Sequence, residues 1–143
     1  MRKIFAHLLF TALLLVSVTS CLLAQAATDS AKEDISRVFV REEVKPSFKG
    51  GNDSLDNYLT QTVNLADAEN TENGMVKFIV SAKGNIYEVQ RVFGDLSFEK
   101  SLENALLKSS GQWNSGLQNE HHITAYCILK ISFHKKRIKA KIQ

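Results

Sequence analysis

Proline and cysteine are scarce in this chain, and their scarcity excludes certain kinds of protein. Pro46 is the single proline among 143 residues, so the chain has no proline-rich spacer. Of the two cysteines, Cys21 lies in an apolar N-terminal run, which leaves Cys127 alone in the remainder. A lone thiol cannot form an internal disulfide, so a disulfide-stapled scaffold is excluded. Cys127 stands in an apolar stretch, which is typical of a buried, unreactive cysteine.

The sequence also lacks the motifs of common enzyme classes. It contains no phosphate-binding glycine loop, no G-x-S-x-G, and no carboxylate pair in a setting that would raise a pKa. Glu120, His121, His122 and His134 are candidate zinc ligands, but adjacent residues of a strand point to opposite faces and the usual ligand spacing is missing. We therefore expect no catalytic residue, no metal, no cofactor and no enzyme activity.

The N-terminus has the composition of an export signal. Met1, Arg2 and Lys3 precede a run that is almost wholly apolar from Ile4 to Ala27. A basic start, an apolar middle and small residues behind it describe a secretory signal peptide, which we place at residues 1–26. The run is also long enough to span a bilayer, so an uncleaved membrane anchor is the alternative.

Two cleavage signals overlap at the end of this run and imply different fates. An A-x-A site at residues 24–26 would release a soluble periplasmic protein that begins at Ala27. Residues 18–21 resemble a lipobox, whose use would make Cys21 the lipidated first residue of a lipoprotein. The chain stays apolar through Ala24, where a lipoprotein usually turns polar, and this favours the soluble form. Both fates place the protein in the periplasm or cell envelope.

The chain after the signal divides into three parts. Residues 27–45 are mostly polar and predict a linker, with an edge strand near Arg37 to Arg41. Pro46 and the following glycine pair begin the domain, which we place at residues 46–134. Residues 135–143 form a basic tail that either extends the last strand or contacts anionic lipid or cell-wall polymer. Its cations are Lys135, Lys136, Arg137, Lys139 and Lys141.

Residue periodicity predicts two helices. Asp53 or Ser54 should cap the first helix, which carries one apolar stripe and ends before Ala66. Residues 67–74 are expected to be a solvated loop. Asp95 or Ser97 should cap the second helix. Its buried face comprises Phe98, Leu102, Ala105 and Leu106.

Alternating apolar residues predict three strands. Met75–Ser81, with Phe78 on its buried face, and Ile86–Phe93 form a hairpin, and Ile123–Phe133 is the longest and central strand. Trp113, in the loop before the last strand, is expected to fill the core. The predicted architecture is an α+β two-layer sandwich, in which a three-stranded antiparallel sheet carries two helices on one face.

The order of these landmarks resembles the TonB C-terminal domain, in its compact versions with a proline and paired glycines before the first helix. The chain departs from the family pattern at Leu65 and Ala66, where a tyrosine-proline pair is usual, and at Ser115 and Glu120, which replace a loop proline and a glycine. The matching residues are Pro46, Phe48, Gly50, Gly51, Leu55, Tyr58, Leu59, Gly74, Val76, Phe78, Val80, Lys83, Gly84, Ile86, Trp113, Gly116, Asn119, Ile131 and Phe133.

The resemblance implies a mode of recognition, in which a sheet edge accepts an extended segment of a partner by strand addition. It implies a protein partner, either an outer-membrane transport protein or another envelope component. Export, in turn, makes us expect no nucleic-acid partner. Membrane association would come from lipidated Cys21 or the basic tail, and strand exchange between edges would give a homodimer. The candidate partner-binding residues are Ile131, Phe133, Ile138, Lys139 and Ile142. A proline at Lys139 is expected to disrupt pairing there while the core stays intact.

The short linker bears on energy transduction. Residues 27–45 reach only about 65 Å when fully extended, which is too short to bridge a periplasm and grip a receptor under load. We therefore expect no energy transduction by this chain alone. The alternative function is a stand-alone structural or regulatory envelope protein.

The overlapping cleavage signals give the first testable prediction. We expect the protein recovered from the cell envelope to begin at Ala27 or at lipidated Cys21, as measured by intact mass. Recovery of a species that retains residues 1–10 would contradict both outcomes and would establish the membrane anchor.

Overall fold

The computed structural model describes residue 33 and residues 35–66, 68–69 and 71–143. The predicted signal peptide and Cys21 lie outside the described residues. The compact unit of interest is Asp34–Gln143. In the part of the chain that is described, no helix combines the length and apolar character needed to cross a membrane.

The described residues form an α+β fold with antiparallel sheets, which confirms the predicted class. These residues form two helices and eight strands. In chain order they are β1 (Ser47–Phe48), α1 (Gly51–Thr62), β2 (Thr71–Val80), β3 (Ile86–Phe93), α2 (Glu99–Lys108), β4 (Trp113–Asn114), β5 (Gly116–Gln118), β6 (His121–Ile123), β7 (Ala125–His134) and β8 (Arg137–Ile142).

The main sheet has four strands in the order β3-β2-β7-β8, so the prediction of a three-stranded sheet is wrong. The difference lies in residues 135–143, which do not prolong β7. Lys135 and Lys136 take left-handed backbone angles, with φ of 48° and 62°, and the chain reverses there. β8 then pairs antiparallel with β7, from His134 opposite Arg137 to Leu129 opposite Ile142. The basic tail is therefore largely a fourth strand of the sheet.

β2 begins at Thr71, within a stretch for which the polar composition predicts a loop. The reason is a tertiary contact of Glu72, whose carboxylate accepts hydrogen bonds from the Ser97 amide at 2.7 Å and the Ser97 hydroxyl at 2.6 Å. Burial tends to raise the pKa of Glu72, but bonds from Ser97 and from the Glu69 amide outweigh it, so the pKa is lowered. The buried carboxylate of Glu72 therefore has hydrogen-bond donors only in the folded chain.

Neither helix has the predicted side-chain cap. α1 follows Gly50, which has a φ of 85°, and the Ser54 hydroxyl donates to the Gly50 carbonyl at 3.0 Å instead of capping. α2 follows Phe98, and the Ser97 side chain is engaged with Glu72. Sequence therefore located the helices, whereas their first residues depend on backbone conformation and distant contacts.

The helices and one face of the main sheet share a single core. Trp113 is 1% exposed and its Nε1 donates to the Ser109 hydroxyl at 2.8 Å, which confirms that the tryptophan fills the core. The predicted buried faces of the helices and strands are also confirmed. Their core members include Leu55, Leu59, Val76, Phe78, Val80, Phe98, Leu102, Ala105, Leu106, Cys127, Leu129, Ile131 and Phe133.

Phe78 gives a stability prediction, because it is fully buried and its ring centroid lies 5.1 Å from that of Trp113. Phe78→Ala should lower the free energy of unfolding by about 3–5 kcal/mol, as measured by chemical denaturation. Phe93→Ala is the matched control, since Phe93 is 64% exposed. Similar losses in the two variants would contradict the assignment of the buried face.

Candidate functional site

The predicted partner-binding residues lie on the closing hairpin, which comprises β7, the turn at Lys135 and Lys136, and β8. The structure brings them together but buries most of them. Ile131, Phe133 and Ile138 are at most 3% exposed, and their side chains belong to the core. Ile142 packs against the same core, and Lys139 is exposed. Any partner contact along this hairpin would therefore involve its backbone edge or its outward-facing lysines.

The outer edge of β8 is covered by side chains of α1. The amide of Ile138 donates to Thr60 Oγ1 at 3.1 Å, and the amide of Ala140 donates to Asp56 Oδ1 at 2.7 Å. The Thr60 hydroxyl in turn donates to the Ile138 carbonyl at 3.4 Å. Strand addition needs unpaired backbone groups on an edge. The helix has already satisfied these groups, so this part of the edge is closed.

The same contacts correct the expected effect of a proline at Lys139. Amides alternate in direction along a strand, so the Lys139 amide points inward toward Ser132 of β7, opposite which it is placed. A proline there would remove a donor from the β7–β8 ladder. Since Ile138 and Ala140 belong to the core, Lys139→Pro would disturb the folded domain as well as its edge.

A short extended segment before the domain, residues 37–45, lies on the part of the β7 edge that β8 leaves uncovered. We call this segment the arm. The amide of Phe39 donates to the Thr124 carbonyl at 2.9 Å, and the amide of Tyr126 donates to the Phe39 carbonyl at 3.2 Å. Phe39 thereby forms a parallel bridge to Ala125. This places one residue of the predicted edge strand on the sheet.

The other end of the arm lies on the edge of β5. The amide of Leu117 donates to the Val44 carbonyl at 2.9 Å, and the Leu117 carbonyl accepts from the Val44 amide at 3.2 Å. The Glu43 carboxylate accepts from the Asn119 amide at 2.9 Å and from the Gln118 side chain at 3.2 Å. The arm is thus held at two points by backbone pairing and by one carboxylate.

The large apolar side chains of the arm are only partly buried by this docking. Phe39 is 39% exposed, Val44 is 50% exposed and Val40 is 84% exposed. Apolar burial is the main favourable term in docking, and here it is incomplete. The arm is consequently held mainly by backbone hydrogen bonds, which do not depend on its side chains.

The opposite edge of the main sheet is the outer side of β3. In residues 71–143 no strand pairs along it, and Val92 and Phe93 are 51% and 64% exposed there. The β2–β3 pairing is irregular, with register shifts and a φ of 49° at Glu88. Such irregularities twist an edge away from regular pairing. The arm-binding edge of β7 and β5 is therefore the better candidate site.

One polar pair was not predicted from the sequence. The β5–β6 hairpin brings Ser115 Oγ within 2.6 Å of His122 Nδ1. A nucleophilic serine needs a histidine that a third group orients. No carboxylate hydrogen-bonds His122 among the residues that the structure describes, so the pair does not form a triad. The two residues come together only because the hairpin folds, and no local sequence motif predicts their contact.

The candidate metal ligands and the lone thiol have ordinary structural contacts. His121 Nδ1 lies 2.6 Å from the Asn119 carbonyl, and His134 Nδ1 lies 3.1 Å from Thr71 Oγ1. Over the described ranges, no group of three or more His, Cys, Asp or Glu residues could hold a metal ion. Burial raises the pKa of the Cys127 thiol to about 12, so it stays protonated at neutral pH. A protonated, 2% exposed thiol is a poor nucleophile.

Comparison with protein families, curated proteins and solved structures found no match to this chain. The inference of function therefore depends on the geometry of the sheet edges. Two features of those edges matter: the helix that closes β8 and the arm that lies on β7.

The closed edge of β8 gives a testable prediction. Asp56→Ala removes the acceptor of a partly buried amide and should lower the free energy of unfolding by about 1–3 kcal/mol. Asn57→Ala, at the next and exposed position of α1, is the control and should change stability little. Chemical denaturation measures both. An equal effect at the two positions would show that Asp56 does not protect the edge.

Proposed function

We propose that this chain is an exported module of the bacterial cell envelope that binds an extended segment of another protein by strand addition. The observation that carries the proposal is the arm. An extended peptide already lies on the β7 and β5 edges, held by backbone hydrogen bonds of 2.9–3.2 Å while its apolar side chains stay exposed. A partner segment with the same backbone geometry can make the same bonds.

The resemblance to the TonB C-terminal domain supports this recognition mode. In the proposed architecture, a two-layer sandwich of TonB C-terminal type is formed by α1 and α2 on one face of the sheet. β8 is a fourth strand beside the expected three. It pairs with β7, the closing strand, over the part of its edge to which a partner strand would otherwise bind. The binding edge therefore moves toward Ala125, beyond the end of β8.

The local geometry suits a docked backbone. Thr124 offers its carbonyl and Tyr126 its amide, both directed away from β2. At the second contact, a Cβ added to Gly116 would lie 3.2 Å from the Val44 carbonyl oxygen. The absence of a side chain at Gly116 lets an extended chain approach closely. Ile128, 37% exposed, lies farther along the same strand.

The partner would be an outer-membrane transport protein or another envelope component, reached after export through the N-terminal signal. Displacement of the arm has a further consequence for a lipidated or anchored form. It would release residues 37–45, which add about 30 Å of extended chain to the tether. Binding would then lengthen the reach of the module. No catalytic step is part of this proposal.

A second function is favoured by a specific observation, namely that the chain covers its own edges at β7 and β8. Thr60 and Asp56 close β8, and the arm closes β7. In a stand-alone structural or regulatory envelope protein, the arm would be a permanent protective strand. The two functions differ in whether the arm can be displaced.

The test removes one backbone donor at the edge. A photo-crosslinking residue at Ile128, in the full chain expressed in cells, reports the bound partner. Tyr126→Pro deletes the amide that bonds the arm or partner and leaves the amides directed toward β2. We expect capture to be lost in Tyr126→Pro and largely retained in Tyr126→Ala, with thermal unfolding confirming that both fold.

The arm provides the complementary variant. Phe39→Pro removes the donor to Thr124 and should increase capture by freeing the edge, whereas Phe39→Ala keeps the donor and should resemble wild type. Equal loss of capture in both Tyr126 variants would show that the side chain makes the contact. No specific capture in any variant, with Phe39→Pro only lowering the melting temperature, would favour the structural role.

A further inference from the structure

The face of the main sheet opposite the helices carries a dense cluster of positive charge. Alternate residues of β7 and β8 point outward from the core, and the outward set includes three exposed lysines. The turn that joins the two strands adds two more lysines, and Arg137 follows them as the first residue of β8. We call this cluster the basic face: Lys130, Lys135, Lys136, Arg137, Lys139 and Lys141.

Like charges of the basic face lie next to one another across the two strands. Lys130 stands directly opposite Lys141 in the β7–β8 register, and Lys139 is their diagonal neighbour. Like charges directly opposite on a sheet are destabilising. β7 and β8 contain no acidic residue, and within the described residues both ion pairs involve Arg91, on another strand. Asp53 and Asp56 of α1 line a cavity with Arg137 and Lys139, but no ion pair among the described residues relieves the repulsion between Lys130 and Lys141.

The backbone conformation of the turn is a second feature that lowers the stability of the fold. Two-residue hairpin turns with positive φ at both positions favour Asn-Gly or similar pairs. Here the positions hold Lys135 and Lys136, at φ of 48° and 62°. Side chains longer than Asn are uncommon in this conformation. Two lysines therefore occupy backbone positions that disfavour their side chains. This suggests that their charge serves binding.

The neighbouring residues on this face are amphipathic. Tyr126 and Ile128 precede Lys130 as outward residues of β7, and Ile128 is 37% exposed. Lys77 Nζ lies 4.7 Å from the centre of the Tyr126 ring. Tyrosine, lysine and exposed aliphatic side chains together are typical of surfaces that lie at a membrane interface.

We propose that the basic face binds the anionic headgroup surface of a lipid bilayer. Charge complementarity supports this occupant, and a pleated sheet face is suited to a broad planar surface. A lipidated Cys21, or an N-terminal run retained as an anchor, would keep the domain near such a surface. The proposal is independent of strand addition, because it uses the outward side chains and leaves the backbone edges unused.

The test compares two double variants with the same change in net charge. The full chain, purified in the form that cells accumulate, is mixed with phosphatidylcholine vesicles with or without phosphatidylglycerol. Because a retained N-terminal run would insert into either vesicle, the readout is protection of Lys130 from acetylation, measured by mass spectrometry. Protection should require phosphatidylglycerol and should weaken at high salt.

Lys139→Gln with Lys141→Gln should raise the phosphatidylglycerol concentration needed for protection by roughly 25-fold, at about fivefold per lysine. Lys100→Gln with Lys108→Gln, on the solvated face of α2, should leave it unchanged. Lys141→Glu separates folding from binding, since it relieves the repulsion of Lys130. It should raise the melting temperature, yet raise the phosphatidylglycerol concentration needed for protection by about the same factor as the Lys139 and Lys141 double variant, because it also changes the charge by two units.

Three results would overturn the proposal. Equal shifts in the two double variants would show that net charge acts without this face. Equal protection by both vesicles would remove the role of anionic lipid. Protection by a soluble anionic polymer, and not by phosphatidylglycerol vesicles, would assign the face to a polymer instead.

Discussion

The pairing of β7 along both of its edges is the constraint on which the rest of the structure depends. β2 occupies one edge over the whole length of β7, and β8 and the arm divide the other. With both edges taken, one set of alternate side chains, including Leu129 and Ile131, must face the core. The free edges of the main sheet therefore lie on β3 and β8. Their backbone groups need protection against pairing with other chains.

The two ends of the second β7 edge are protected with different strength. Toward the turn, β8 contributes buried Ile138 and Ala140, and α1 fixes their amides through Thr60 and Asp56. Toward Ala125, the arm contributes hydrogen bonds but leaves Val40 84% exposed. Segments with few buried apolar contacts open at low free energy. This contrast is the reason for proposing that the arm is the exchangeable contact and β8 the permanent one.

The edge and the basic face use opposite ends of β7. The arm docks at Thr124 and Tyr126, whereas Lys130 and the lysines of β8 lie toward the turn. A partner strand would contact backbone groups in the plane of the sheet, whereas an anionic surface would contact side chains perpendicular to it. A domain held against an anionic surface through its sheet face could therefore still exchange its arm for a partner strand.

The sequence by itself determined the apolar periodicities, and with them both helices, the β2–β3 hairpin, the central strand and core residues such as Phe78 and Trp113. These follow from local spacing, because a buried face repeats every two or nearly four residues. Only the tertiary structure decided that residues 135–143 turn back as β8, since a turn at Lys135 and Lys136 has no glycine or asparagine to announce it. It also decided that Glu72 is buried in a strand, that Asp56 closes an edge, and that Phe39 lies on β7. Each of these depends on a hydrogen-bond partner distant in sequence, and composition and periodicity carry no information about such a partner.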